Sequence, residues 1–219
     1  MRRFICVLAV LGLATWSCGD RPAPATTRVF ASSNGYWYAR TTPASTIACT
    51  EGTTRVYRVN HFGRGDGQDQ LAHEFDWYAP QLYLHAIAGN LSIVRFGCWP
   101  HGQLASDDQL ALVLYWNGKE VRTFSTLDIA GHPNNVDSSV SHHTVFSTVH
   151  GFKTRWSHEH QKAIESFEVQ TIDGRTLAFD LKTGAVNNAD TIGVPLHEAL
   201  RAFRETPSIS PEGADHTDP

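Results

Sequence analysis

The sequence predicts an all-β fold, an antiparallel meander of roughly ten strands closed by one C-terminal amphipathic helix. Three observations carry this. From Arg28 to Leu181 short apolar runs alternate with turn residues and show little helical periodicity. Asn34-Gly35, Asn117-Gly118 and Asp173-Gly174 each lie between β-rich runs, a strong local hairpin signal. Only near the end do apolar residues fall at helical spacing, with Leu196, Ala199, Leu200 and Phe203 on one face.

The chain opens with Met1-Arg2-Arg3, followed by the apolar run Phe4 to Ala14. A positive head and a run shorter than the ~20 residues that span a bilayer match an export signal. Thr15-Trp16-Ser17 follow the run, then Cys18, then Gly19-Asp20-Arg21-Pro22-Ala23-Pro24-Ala25. This stretch resembles the signal of bacterial lipoproteins, in which a lipobox precedes the cysteine that is acylated and becomes the first residue. Ser17 fits the box, whereas Thr15 and Trp16 depart from it, so the box is degenerate. The resemblance implies a signal peptide over 1–17, a lipidated Cys18 and a flexible tether over 18–27. An ordinary secretory signal cut near Ala14 or after Cys18 is the alternative, as is an uncleaved anchor or buried strand. The two cleaved readings agree on export.

Expected strands are Val29–Ser32, Trp37–Thr41, Arg55–Val59, Gln81–Ala86, Ser92–Phe96, Ala111–Trp116 and Ser139–Phe146, with a further candidate at Thr148–Phe152. Ala111-Leu112-Val113-Leu114-Tyr115-Trp116 is apolar on both faces, which suits a central strand covered on two sides. A two-residue turn at Asn117-Gly118 would pair Leu114 with Val121 and Leu112 with Thr123. At Asp173-Gly174 the faces decide the loop length. A three-residue loop sets Val169 opposite Leu177 and Phe167 opposite Phe179, bringing the apolar side chains together. This requires a left-handed Gly174 in a bulged turn.

The stretches SSNGYWYAR and TIDGRTLAFDLKTG resemble outer hairpins of β-propeller blades. The turn signals are unevenly spaced, so the expected architecture is a sandwich or a partial-propeller-like meander. The whole of 28–205 forms one β-rich domain, with its helix at 195–205 started by Pro195 and stopped before Pro207. Residues 206–219, polar and rich in Pro, Gly, Ser and Asp, form a disordered tail.

The formal charge is −4, and removing Arg2 and Arg3 with the signal takes it to −6. Without a Lys/Arg cluster, nucleic acid is not an expected partner. Of the four cysteines, two lie in the export segment, leaving Cys49 and Cys98. In an exported chain these pair, closing a loop of about 49 residues, worth on the order of 4 kcal/mol by chain entropy. The other reading is two separate buried thiols.

Chemistry has few candidates. Twelve histidines are present, and His142, His143, His150, His158 and His160 cluster in sequence. On a strand, His158 and His160 would point the same way as a zinc pair, with His142 or His150 as a third ligand. If Ser157 instead caps a turn of helix through Glu165, they diverge. Half-buried and surface histidines are the plainer reading. Asp76, Asp107, Asp108 and Asp128 favour no acid pair, there is no GxSxG elbow, and no motif calls for a cofactor. Tyr36-Trp37-Tyr38, Trp77-Tyr78, Trp99 and Trp156 are either core or an aromatic platform for glycans or peptides.

The expected function is therefore binding or scaffolding by an exported protein of the bacterial envelope. It would be held to a membrane by its lipid, or free in the periplasm or medium if unlipidated, with an envelope protein or a glycan as partner. The rival is a metal-dependent or carboxylate-based hydrolase using the His142–His160 region.

Overall fold

The structure is a computed structural model that describes residues 24–47, 49–60, 68–157, 162–189, 194, 195, 197, 198 and 201. The export segment, Cys18, His158, His160 and the tail 206–219 lie outside the described residues. Three consecutive up-and-down antiparallel sheets account for most of the fold. The first is β1 (Arg28–Ala31), β2 (Trp37–Pro43), β3 (Glu51–Arg58) and β4 (Gln70–Trp77). The second is β5 (Leu82–Ile87), β6 (Asn90–Phe96), β7 (Leu110–Trp116) and β8 (Lys119–Ser125). After the short helix α1 (Thr126–Ala130) comes a two-stranded ribbon, β9 (Asp137–Ser138) with β10 (His143–Thr144). The third sheet is β11 (Phe146–Ser157), β12 (Lys162–Thr171), β13 (Thr176–Asp180) and β14 (Val186–Asn188), with β15 (Val194–Pro195) added beside β11.

The expected all-β meander is thus what the chain forms, and the second sheet is its middle layer. Alternation along β6 explains why. Leu91 and Ile93 pack with Ala39, Val56 and Trp77 of the first sheet, while Val94 and Phe96 pack with Phe167, Val169 and Phe179 of the third. On β7, Val113 and Tyr115 join the first core, and Leu112 and Leu114 join the second. A strand buried on both faces must be apolar at every position, as Ala111 to Tyr115 is. Each fully buried Phe or Leu here contributes roughly 1.5–3 kcal/mol.

The Asp173 hairpin has the register that its two faces require. Val169 pairs with Leu177 and Phe167 with Phe179, and Gly174 sits at φ +86°. Its Arg175 reaches across to α1, donating from Nη2 to the carbonyls of Ile129 and Ala130 at 3.0 and 2.8 Å. That satisfies carbonyls which a helix end leaves without intrahelical donors. At the other end, Ser125 and Asp128 form a capping box.

Several expectations are corrected. At Asn117-Gly118 the two-residue turn is present, with Trp116 opposite Lys119, but a bulge at Val121 moves the register so that Leu114 faces Arg122 and Leu112 faces Phe124. The shift carries Phe124 into the core, where it meets Phe179 edge-on at 5.0 Å. Ser139–Phe146 is not one strand. Ser139 to His142 is the turn of the β9–β10 ribbon, and Phe146 already belongs to β11. Ser157 and Lys162–Glu165 are strand and not a capped turn of helix, because Ser157 pairs with Lys162 and Glu165 with Thr154 across β11 and β12.

Pro195 is not the start of the helix but an edge-strand residue opposite Arg155; a proline, lacking its N–H, is tolerated at a sheet edge. His197, Glu198 and Arg201 are helical, and the remainder of that helix lies outside the described residues. The end of the expected tether is held to the fold. Ala25 N–H donates to Thr46 O at 2.9 Å, and Tyr78 Oη donates to Thr26 O at 3.0 Å.

Candidate functional site

The site lies at one end of the stacked sheets, where three connections meet. These are the β2–β3 loop, the long β6–β7 loop and the β9–β10 turn. Gly97 begins the second of them immediately after β6. Its N–H donates to Ala111 O at 2.9 Å, and a Cβ there would lie 1.9 Å from Leu110 O. Only glycine permits this approach, and it sets the direction in which Cys98 and Trp99 leave the sheet.

Cys98 is bonded to Cys49, with Cα atoms 5.7 Å apart. The bond ties the β2–β3 loop to the β6–β7 loop and so joins the first sheet to the second. The third connection is fixed by backbone contacts. His101 forms an antiparallel bridge with His142, and Gly102 N–H donates to Ser141 O at 2.9 Å.

Trp99 stands between two clefts and is half exposed. One cleft, of 460 Å³, lies beneath it among Phe96, Thr126, Asp137, Ser138, His142 and Thr144. The other, of 640 Å³, lies on its far side among Pro24, Arg28, Ile47, Cys49, Tyr78 and Pro80. The Trp99 ring meets His142 edge-on at 5.6 Å, and the His101 ring lies 4.7 Å from that of His142.

His142 and His143 are both buried. Nδ1 of His143 faces Gly102 O at 3.2 Å. A carbonyl only accepts, so Nδ1 carries a ring hydrogen. Nδ1 of His142 lies 2.8 Å from Ser141 Oγ. Among the described residues neither Nε2 atom has a hydrogen-bond partner.

A serine beside an imidazole is two-thirds of a nucleophilic triad. Here the third part is missing, since among the described residues no carboxylate holds the other nitrogen of His142. Nor do the histidine candidates come together. His142 is buried in the ribbon turn, whereas His150 is exposed on β11 at a bulge between Val149 and Gly151. His158 and His160 lie outside the described residues. Among the described residues no group of three His, Cys, Asp or Glu side chains is arranged to hold a metal ion.

The acidic candidates have local duties. Asp128 accepts from Ser125 N–H at 2.8 Å in the capping box, Asp108 accepts from the Ser106 hydroxyl, and Asp107 lies 3.4 Å from Ser125 Oγ. Carboxyl groups with displaced pKa values lie on the third sheet. At Glu168, burial raises the value, but the hydrogen bonds and charge of Arg155 outweigh it and lower it overall. Asp173 is likewise lowered on balance, its burial opposed by Arg175 and Thr171. Both belong to ion pairs that hold strands and a turn.

Most of the aromatic candidates are core or half-buried. Trp77 and Tyr78 are buried, and Trp77 packs against Phe75 at 4.8 Å. Trp99 and Tyr36 are the exceptions, both substantially exposed. What the sequence did not reveal is that Asp137, Thr144 and His101 join Trp99. That meeting depends on the His101–His142 bridge between distant segments, which leaves no local pattern. Comparison of the chain with protein-family models, curated proteins and solved structures finds no match.

Proposed function

We propose that this chain is an exported, lipid-anchored protein of the bacterial envelope, and that it binds another envelope component at the cleft beneath Trp99. The observation that carries the reading is the Cys49–Cys98 disulfide. Such a bond persists in oxidising compartments, and here it holds the cleft rim in place. A rigid rim lowers the ordering cost of binding. The cleft offers one large half-exposed ring, a carboxylate, hydroxyls and buried imidazoles, a mixture that suits recognition more than a single chemical step. Three successive up-and-down sheets packed face to face also support the likeness to propeller blades.

Metabolic labelling with a palmitate analogue tests the anchor. Wild type takes the label and partitions with membranes, and Cys18→Ser does neither. Equal labelling of the two would reject the assignment. Tryptophan fluorescence titrated with solubilised envelope glycans and proteins tests the cleft. A saturable change that is lost in Asp137→Ala supports it, and a response identical in the two rejects the cleft as the site.

A further inference from the structure

Large apolar side chains are exposed at eight described positions, and four of these, Ile47, Trp99, Leu104 and Val140, lie on the three loops of the cleft end. Ile47 is 92% exposed and Val140 72%. The disulfide and the His101–His142 bridge hold these loops together as one surface. Solitary exposed apolar residues are ordinary, but a group on linked loops marks a contact surface.

The chain reaches the described fold at this same end. Pro24 and Ala25 line the cleft that Ile47 and Trp99 share, and Ala25 is bonded to Thr46, next to Ile47. Six peptide units separate Cys18 from Pro24. Fully extended they span no more than about 22 Å. A diacylated Cys18 sits at the lipid surface, so the loop end cannot move farther from it than that.

We propose that the loop surface bearing Ile47, Trp99, Leu104 and Val140 rests on the lipid bilayer. This rests on the anchored reading above and deepens it. The cleft then opens at the membrane surface, and its partner is presented there. Tryptophan suits the bilayer interface, with an apolar body and one polar N–H. Among the described residues, the three loops and the two clefts carry Asp107, Asp108 and Asp137 against one arginine, Arg28. Contact is therefore apolar, and anionic lipid does not strengthen it.

The test uses the mature chain with its anchor in phosphatidylcholine vesicles brominated along the acyl chains. Bromine quenches only tryptophans that touch lipid. Trp99→Phe is expected to lose at least half of the wild-type quenching, and adding phosphatidylglycerol leaves the signal unchanged. Equal quenching in the two proteins, or quenching that grows with anionic lipid, overturns the surface.

Mass analysis of the same preparation reads the anchor separately. If Cys18 carries no acyl chains, the anchored reading falls, and the surface is then read by sedimentation of the isolated chain with vesicles. Ile47→Asp with Val140→Asp must lower that sedimentation at least fivefold at unchanged melting temperature. Sedimentation indifferent to the double substitution, or absent in wild type, overturns the surface.

Discussion

Arg155 grips Glu168 with two parallel hydrogen bonds, Nε to Oε1 at 2.6 Å and Nη2 to Oε2 at 2.9 Å. Only 3% of the Glu168 side chain is exposed, and Ser166 Oγ donates to it as well at 3.2 Å. Burial pushes its carboxyl up, Arg155 and Ser166 pull it down, and the net value is below the ordinary 4.5. A carboxyl depressed on folding adds stability that is complete above its unfolded value and is lost as pH falls through the folded one. The contribution of Glu168 to stability is therefore constant near neutrality and declines below about pH 4.5. Glu168→Gln removes about 3 kcal/mol at pH 7, because it leaves the Arg155 charge without its carboxylate. It also flattens the acid decline. Urea unfolding of both proteins between pH 7 and pH 3 checks both statements; parallel acid limbs would show that the pair does not titrate with folding.

The disulfide acts mainly on the unfolded chain. Its two cysteines are 49 residues apart, which gives about 4 kcal/mol by chain entropy. Cys49→Ala with Cys98→Ala lowers unfolding free energy by about that amount. Wild type under reducing conditions shows the same loss, while the double variant is indifferent to reductant. Unfolding with and without dithiothreitol makes the comparison.

Ala88 and Gly89 form the two-residue turn between β5 and β6, with φ of 47° and 83°. A left-handed alanine is strained, and Asn-Gly is the pair that such turns prefer. Ala88 is exposed, so Ala88→Asn disturbs no packing. It raises stability by roughly 0.5–1 kcal/mol. A lowered midpoint in chemical unfolding would contradict this.

Gly97 has the opposite character. A methyl group there collides with Leu110 O and strains the Gly97 N–H bond to Ala111 O. Gly97→Ala costs about 2–3 kcal/mol and shifts the loop that carries Trp99. Thermal melting measures the cost, and a changed Trp emission maximum reports the shift. Full stability in this variant would place the close approach in error.

The sequence was most legible where one physical requirement settled a question locally. Phe167 and Val169 could face apolar partners across the turn only through a three-residue loop, and they do so. Ala111 to Tyr115, apolar at every position, had to be covered twice. Legibility ended where tertiary packing overrode local pattern. The bulge at Val121 exists because Phe124 belongs in the core with Phe179, and nothing near Asn117 announces that. β4 went unrecognised although Leu71, His73, Phe75 and Trp77 alternate with polar residues. It is an edge strand, half exposed, and its charged and histidine positions hid the period of two. The turn at Ala88-Gly89 carries no asparagine or aspartate to mark it. Half of the cleft was visible as Trp99 beside Cys98; the other half, Asp137 to Thr144, arrives through a bridge that no spacing encodes.

One measurement bears most directly on the whole account: intact-mass analysis of the chain isolated from cells, followed by non-reducing peptide mapping. The expected mature protein starts at Cys18, carries acyl chains on that residue, and yields a peptide pair joined through Cys49 and Cys98. A chain that retains Met1 to Ser17, with Cys49 and Cys98 both recovered as free thiols, would contradict it.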